Sequence, residues 1–393
     1  MTPMLPSTVP RVLVLDGFWN KTLAAVRSLG RRGFFVAVGE RTRFAPALFS
    51  RYCRRRFVHP AVDGYPIDFL AALERELIAG GYDVLLPMEL STQLFVTRNH
   101  ERLGRSVRIP FADADLTLRV HDKGFLASFA REHGIDSPVA FFPRGPEDAA
   151  AMAPELSYPV LVKPRHSSGG RGIMRVDRKE ELASAYARVH TQHPMPIVQD
   201  YIPPGGDALG VAVLMNFASQ PKASFVYRRL REYPITGGPS TLRESIWHPT
   251  LQESAENLLS LLGWVGVAMV EFKVDPRDKK PKLLEINPRF WGSLHHAIVC
   301  GVDFPYLLCR LAVEGDVARL DRYQIGVKSR SLLHGDLLHF LKNPNRFHLK
   351  PALHDFSIPD DVLSADDPLP ALGRIVSLFA LARDKGLRAI ARG

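Results

Sequence analysis

The chain has little cysteine and no apolar run of membrane length. Its three cysteines, Cys53, Cys300 and Cys309, form no CxxC pair and no zinc spacing. That argues against a disulfide framework and favours a reduced, cytoplasmic setting. The most apolar stretch, Leu258–Val270, is broken by Ser260, Gly263 and Gly266 and runs into Glu271, well short of the roughly 20 apolar residues of a membrane span. The opening MTPMLPSTVP lacks the apolar core of a signal peptide. Two phosphate-binding signatures are also missing. No GxGxxG follows the first strand-like segment, which disfavours dinucleotide binding, and GxxxxGK[ST] does not occur, which excludes a P-loop ATPase. No Ser-His-Asp or reactive-Cys arrangement is evident, so covalent enzyme catalysis is not expected.

What is present describes a globular chain of two or three domains: 393 residues, 46% hydrophobic and 23% charged. Lys and Arg number 51 against 41 Asp and Glu, a net +10 that favours anionic partners. The opening reads as β-α-β: a strand at Arg11–Asp16, a helix over Lys21–Leu29, a strand at Gly33–Gly39. A helix around Phe69–Ala79 and a strand at Asp83–Pro87 follow. Such a unit implies a parallel sheet and a Rossmann-like lobe. Arg51–Arg56 (RYCRRR) reads as a solvated loop, and no nucleic-acid motif accompanies it, so no nucleic-acid partner is expected.

From Asp113 to His133 the pattern is helical, with Asp122 and Lys123 inside it. Tyr158–Val176 (YPVLVKPRHSSGGRGIMRV) then places Lys163 at the end of a buried strand, ahead of a turn containing Ser167, Ser168, Gly169, Gly170 and Gly172. Glycines allow backbone N–H groups to close on phosphate oxygens, and a lysine adds a point charge. In Pro196–Asn216, a short strand meets Gln199, Asp200, Tyr201 and Ile202, a junction able to bond an adenine edge, with Asp207 beyond it for ribose hydroxyls. Phe225–Ser245 is basic and Gly-rich and reads as a functional loop, with Arg231 the arginine favoured for the site. Val265–Ser293 carries the densest chemistry. Two strand-like runs, Val267–Val274 and Lys282–Ile286, flank DPRDKKP and predict a hairpin. Alternation puts Glu285 and Asn287 on one face, and a register bringing Glu271 opposite would gather three oxygen donors suited to Mg2+. Arg289 adds a cation for a multiply charged substrate. His295 and His296 follow, as pocket-lining or structural imidazoles. Beyond Arg322, helices are predicted at Ser331–Leu341 and Leu369–Ala391, joined by the Pro- and Asp-rich stretch 351–370. The last is basic and apolar; an anionic membrane surface is open to it, but packing on its own domain with the bases in solvent is favoured.

YPVLVKP with its Ser/Gly turn, QDYI before an acid, and EF…LLEINPRFWGS, in that order, resemble the ATP-grasp superfamily over about residues 11–310. The similarity is to its carboxylate–amine ligase branch, which shares the EINPR pattern with carbamoyl-phosphate-synthase-like proteins. The resemblance implies an α/β architecture: a Rossmann-like N-terminal lobe (1–112), a two-lobed α+β ATP-grasp domain (113–322, lid about 138–198), and a mostly helical C-terminal extension (323–393). It implies ATP with Mg2+ or Mn2+ as cofactors. Lys123, Lys163 and the Ser167–Gly172 turn are then matched to the phosphates, Gln199, Asp200, Tyr201 and Ile202 to the adenine hinge, and Asp207 to the ribose. Glu271, Glu285 and Asn287 match the metal ligands, and Arg289 the cation facing the moving phosphoryl group. The hinge departs slightly, since many members carry Glu at the position of Gln199 or Asp200. The implied partners are a small-molecule carboxylate and an amine, with a homodimer left open. An ATP-grasp kinase and a nucleotide-binding scaffold are the alternatives, and the complete metal set argues against the second.

Overall fold

The structure is a computed structural model describing residues 9–383 other than Ser168 and Thr236. Four strands, β1 (Arg11–Val14), β2 (Phe35–Glu40), β3 (Cys53–Val58) and β4 (Val84–Leu86), form a sheet in the order β3-β2-β1-β4. β1 pairs in parallel with both β2 and β4, and β2 pairs in parallel with β3. Helices Asn20–Arg31 and Pro66–Gly80 make the crossovers that parallel pairing requires. Arg51–Arg56, expected as a loop, largely belongs to the edge strand β3. Its alternating exposed and half-buried residues suit an edge, where arginines discourage pairing with another chain.

Helices Ala114–His121 and Lys123–Glu132 replace the single helix expected over 113–133. Asp122 breaks it by turning extended and capping the second helix, its Oδ1 accepting from the Gly124 and Phe125 N–H groups. Lys123 therefore opens a helix instead of lying within one. A small antiparallel sheet follows, from β5 (Ala140–Phe141), β6 (Val160–Lys163), β7 (Met174–Val176) and β8 (Ile197–Asp200), ordered β5-β8-β6-β7. It packs on helices Pro146–Met152 and Lys179–Gln192 around its own core.

The large sheet comprises β9 (Ala208–Met215), β10 (Pro221–Glu232), β11 (Ser240–Ser245), β12 (Gly266–Val274), β13 (Pro281–Asn287) and β14 (Lys328–Arg330), in the order β13-β12-β9-β10-β11-β14. The expected functional loop 225–245 is mostly the β10–β11 hairpin, and only 233–239 is turn. Arg228, Arg229 and Arg231 lie along β10 and Arg243 on β11, which the Gly-Gly-Pro in the turn obscures. One face of this sheet packs on helix Pro249–Leu261. The other joins the N-terminal lobe in one continuous core through Phe225, Val267, Phe290 and Trp291.

The C-terminal extension adds β14 to the sheet edge and then runs back over both lobes. Asp367 meets Arg27 at 2.9 Å, Asp366 meets Arg31, and Asp361 meets Arg243. Helix Leu369–Arg383 packs on residues 46–49, where a Cβ at Gly373 would stand 2.7 Å from the Phe49 ring. Residues 384–391 of the expected last helix lie outside the described residues. Its bases do not all face solvent: Arg374 is buried.

Candidate functional site

The β12–β13 hairpin pairs Glu271 directly with Glu285 and Met269 with Asn287, so the three candidate metal ligands share one face. Asn287 Nδ2 donates to Glu271 Oε1 at 3.0 Å. Each carboxylate also meets a cation: Glu285 Oε2 lies 2.9 Å from Lys123 Nζ, and Glu271 Oε2 lies 2.5 Å from Arg229 Nη2. Burial pushes the Glu271 carboxyl up despite Arg229, and Glu285 adds to the shift. Lys123 and Lys163 overcome burial to hold Glu285 below the usual carboxylate range. Two acids forced together in a half-dry site suit a divalent cation, which would relieve their repulsion. Among the described residues no group of three or more His, Cys, Asp or Glu is poised for a metal, so the candidate set rests on two carboxylates and one amide.

Lys123 reaches this pair because Asp122 ends the preceding helix, and its ammonium also donates to Ser167 O at 2.5 Å. It thereby ties the glycine-rich turn to the hairpin. Gly169, Gly170 and Gly172 hold φ of 65, 76 and 71°, a left-handed run costly for any other residue. Ser168 lies outside the described residues. Lys163, at the end of β6, is buried and donates to Gln199 Oε1 at 2.6 Å. Burial, with Lys123 nearby, pulls its ammonium down to about 8. Burial raises the Asp200 carboxyl, and the Tyr201 ring lies 4.6 Å from the Arg175 guanidinium. Lys273, which the motifs did not single out, donates to Ile202 O at 3.0 Å and stands 5.8 Å from the Tyr201 ring. Strand alternation two residues beyond Glu271 could have found it. Asp207 is mostly exposed, 3.9 Å from Arg228.

Arg289 Nη1 donates to Phe290 O at 2.9 Å, and Lys21 Nζ donates to the same carbonyl at 3.1 Å. Lys21 also pairs with Glu89 at 2.6 Å, so the N-terminal lobe borders the site here. Burial and Arg289 together draw Lys21 down to about 8. Burial and Lys123 draw the neighbouring His121 down to about 4.

Arg231 is not brought to this cluster. A register shift between Arg229 and Arg231 reverses the alternation, because Arg229 pairs with Arg243 whereas Arg231 pairs with Leu242. Arg231 consequently turns to Asp336 at 2.8 Å, while Arg229 takes the place beside Glu271. Both arginines recur at the same spacing, and nothing in their spacing distinguishes them. Gly210, which pairs with both Glu271 and Tyr227, makes room for the Tyr227 ring, from which a Cβ there would lie 2.5 Å. His296 is buried against Phe225 and Tyr227, whereas His295 Nδ1 stands 3.5 Å from Asp361.

Residues 218–331 match the family described as "ATP-grasp in the biosynthetic pathway with Ter operon", and residues 131–200 match the ATP-binding domain of the carbamoyl-phosphate synthase L chain. Each match covers less than half of the chain, which is thereby similar to ATP-grasp proteins of the carbamoyl-phosphate-synthase kind. Among curated relatives, the C-terminal section of the carbamoyl phosphate synthase large chain of Methanopyrus kandleri is 27% identical over 195 residues, 47% of this chain and 35% of that protein. Mitochondrial acetyl-CoA carboxylase of Saccharomyces cerevisiae is 27% identical over 177 residues, 43% of this chain. The chain thus spans about a third of the first and 8% of the second. Biotin carboxylase of Campylobacter jejuni, solved with an ATP analogue, shares the fold at TM-score 0.68 and 17% identity, over 82% of this chain and 74% of that one. L-amino acid ligase of Bacillus licheniformis does so at 0.59 and 17%, over 78% and 74%.

Proposed function

We propose that the protein is an ADP-forming ligase that activates a carboxylate as an acyl phosphate and joins it to an amine. The observation that carries this reading is the facing pair Glu271 and Glu285, with Asn287 alongside and Lys123, Arg229 and Arg289 around them. Phosphoryl transfer asks for charge neutralisation and alignment more than for acid–base groups. When bound, Mg2+ or Mn2+ would supply neutralisation across the phosphates, and Glu271, Glu285 and Asn287 would hold it.

The remaining roles belong to the chain's own residues. Lys163 and Lys123 bind nucleotide phosphates under the Ser167–Gly172 turn. Gln199, Asp200, Tyr201 and Ile202 bind the adenine edge, and Asp207 the ribose. Arg289 orients the moving phosphoryl group. Arg229 replaces Arg231 as the second arginine of the site and pairs with the Glu271 carboxylate. A carboxylate oxygen attacks the γ-phosphorus as ADP leaves, and the amine then attacks the acyl carbon, losing a proton as phosphate departs. Closing the glycine-rich turn excludes water that would otherwise hydrolyse the acyl phosphate. Three free thiols accord with a reducing, cytoplasmic setting, and no helix among the described residues is long and apolar enough to cross a membrane.

The test is carboxylate-dependent ADP release with hydroxylamine as the trap. The expected outcome is a hydroxamate, and a coupled product only when an amine is supplied. A stable phosphate ester with no amine requirement would make the protein a kinase.

A further inference from the structure

Among the described residues most buried charges have an opposite charge within ion-pair reach; Arg374 does not. It comes from the last helix, outside both family-matched segments, and only 6% of it is exposed. Among the described residues its guanidinium makes one side-chain hydrogen bond, from Nη2 to the neutral Asn20 Oδ1, and its Nε has no partner. The Phe18 ring lies 5.0 Å away. The acid whose charge reaches it is Asp361, but Arg243 already occupies that carboxylate, and His295 stands 3.5 Å from the same oxygen. That carboxylate is therefore already engaged and makes no ion pair with Arg374. Burial accordingly draws Arg374 down to about 10, against the partial pull of Asp361. A buried cation without a paired anion is costly, and a bound anion would relieve that cost.

The position of Arg374 says which ligand. Asn20 opens the helix whose next residue, Lys21, donates to Phe290 O, the carbonyl that Arg289 also reaches. Arg374, from the last helix, thus bonds the residue next in sequence to Lys21, whose contact borders the proposed phosphoryl-transfer cluster. We propose that Arg374 receives a carboxylate of a substrate, so that the C-terminal extension completes the substrate site. A planar carboxylate can take the Nε and Nη hydrogens of one guanidinium together. The group is carried either by the acceptor, as in an amino acid, or by the donor as a second carboxylate. Only this last step rests on the ligase reading.

The first arm measures the melting temperature of the full chain with malonate in metal-free buffer. Wild type should gain about 2–4 °C near saturation. Asn20→Asp sets an internal carboxylate against Arg374, so it should itself raise the melting temperature and abolish the malonate response. Arg374→Met should abolish that response too. No response in wild type, or an equal one in Asn20→Asp, overturns the proposal. The second arm compares amino acids with their decarboxylated amines, and dicarboxylic acids with monocarboxylic counterparts, by KM. One pairing should favour the carboxylate-bearing member about tenfold or more, which identifies the source, and the ratio should fall towards one in Asn20→Asp. Turnover without discrimination in either pairing also overturns it. If no donor yields a hydroxamate, the ligase reading fails while the malonate arm still decides the anion site.

Discussion

Two regions of one sheet carry the same chemistry to different ends. Near β12 and β13, Glu271 meets Arg229 with side chains 16% and 14% exposed, and Glu285 meets Lys123 at 19% and 7%. Across the sheet, Arg243 meets Asp361 at 1% and 2%, and Arg231 meets Asp336 at 4% and 0%. The first pairs are reachable by a cation or an anion that could take either partner. The second are sealed and join the C-terminal extension to the core. Pairing an arginine with a carboxylate therefore says little about role; access and completeness of compensation decide it.

The sharpest way to break this comparison is to neutralise one acid at each end. Glu285→Gln keeps shape and hydrogen bonding but removes a charge from the proposed metal set. It should cost about 4 kcal/mol of transition-state stabilisation, roughly a thousandfold in turnover, with the smaller loss of folding stability of the two variants, because relief of the Glu271–Glu285 repulsion offsets the broken Lys123 pair. Asp361→Ala should invert that pattern. It strands Arg243 in a dry site and should cost about 3–5 kcal/mol of folding stability, read by urea denaturation at equilibrium. If both variants lose stability alike and neither loses turnover selectively, the two ends are equivalent and the distinction falls.

The accessible end was the legible one. Glu271, Glu285 and Asn287 could be read because a hairpin with strict alternation puts chemistry and spacing within some twenty residues of each other. Lys163 and its glycine turn were readable for the same reason. The sealed end depends on contacts that sequence spacing does not encode. Arg243 finds Asp361 across 118 residues, and Arg27 finds Asp367 across 340. One local detail also escaped, since the β-bulge that exchanges Arg231 for Arg229 has no composition signal of its own. The break at Asp122 was readable in principle, because Asp is a preferred N-cap, but the apolar pattern ran on through it. RYCRRR misled because charge suggests a loop, although an edge strand tolerates charge on its open side.

The smallest expected effect concerns protons. Lys163 is buried at the accessible end with an ammonium pulled down to about 8, by burial first and Lys123 second. In the unfolded chain it titrates near the ordinary lysine value of about 10.4. Between these values the unfolded state binds more protons than the unliganded native state, so this residue makes folding stability rise with pH across that window. Nucleotide binding should run the other way. Phosphate oxygens favour the charged ammonium, so binding takes up a proton once the free protein has lost it, and affinity should fall as pH passes about 8. Between pH 7 and 9 the dissociation constant for ATP should rise by about tenfold. Isothermal titration in buffers of different ionisation enthalpy would report the uptake directly. Lys21, also drawn to about 8, could imitate the effect, so the decisive comparison is Lys163→Met. That variant should bind ATP more weakly at pH 7 and lose most of the slope. It should melt no lower than wild type, since it removes a buried charge. An unchanged slope would assign the titration to Lys21 and remove Lys163 from the phosphate site.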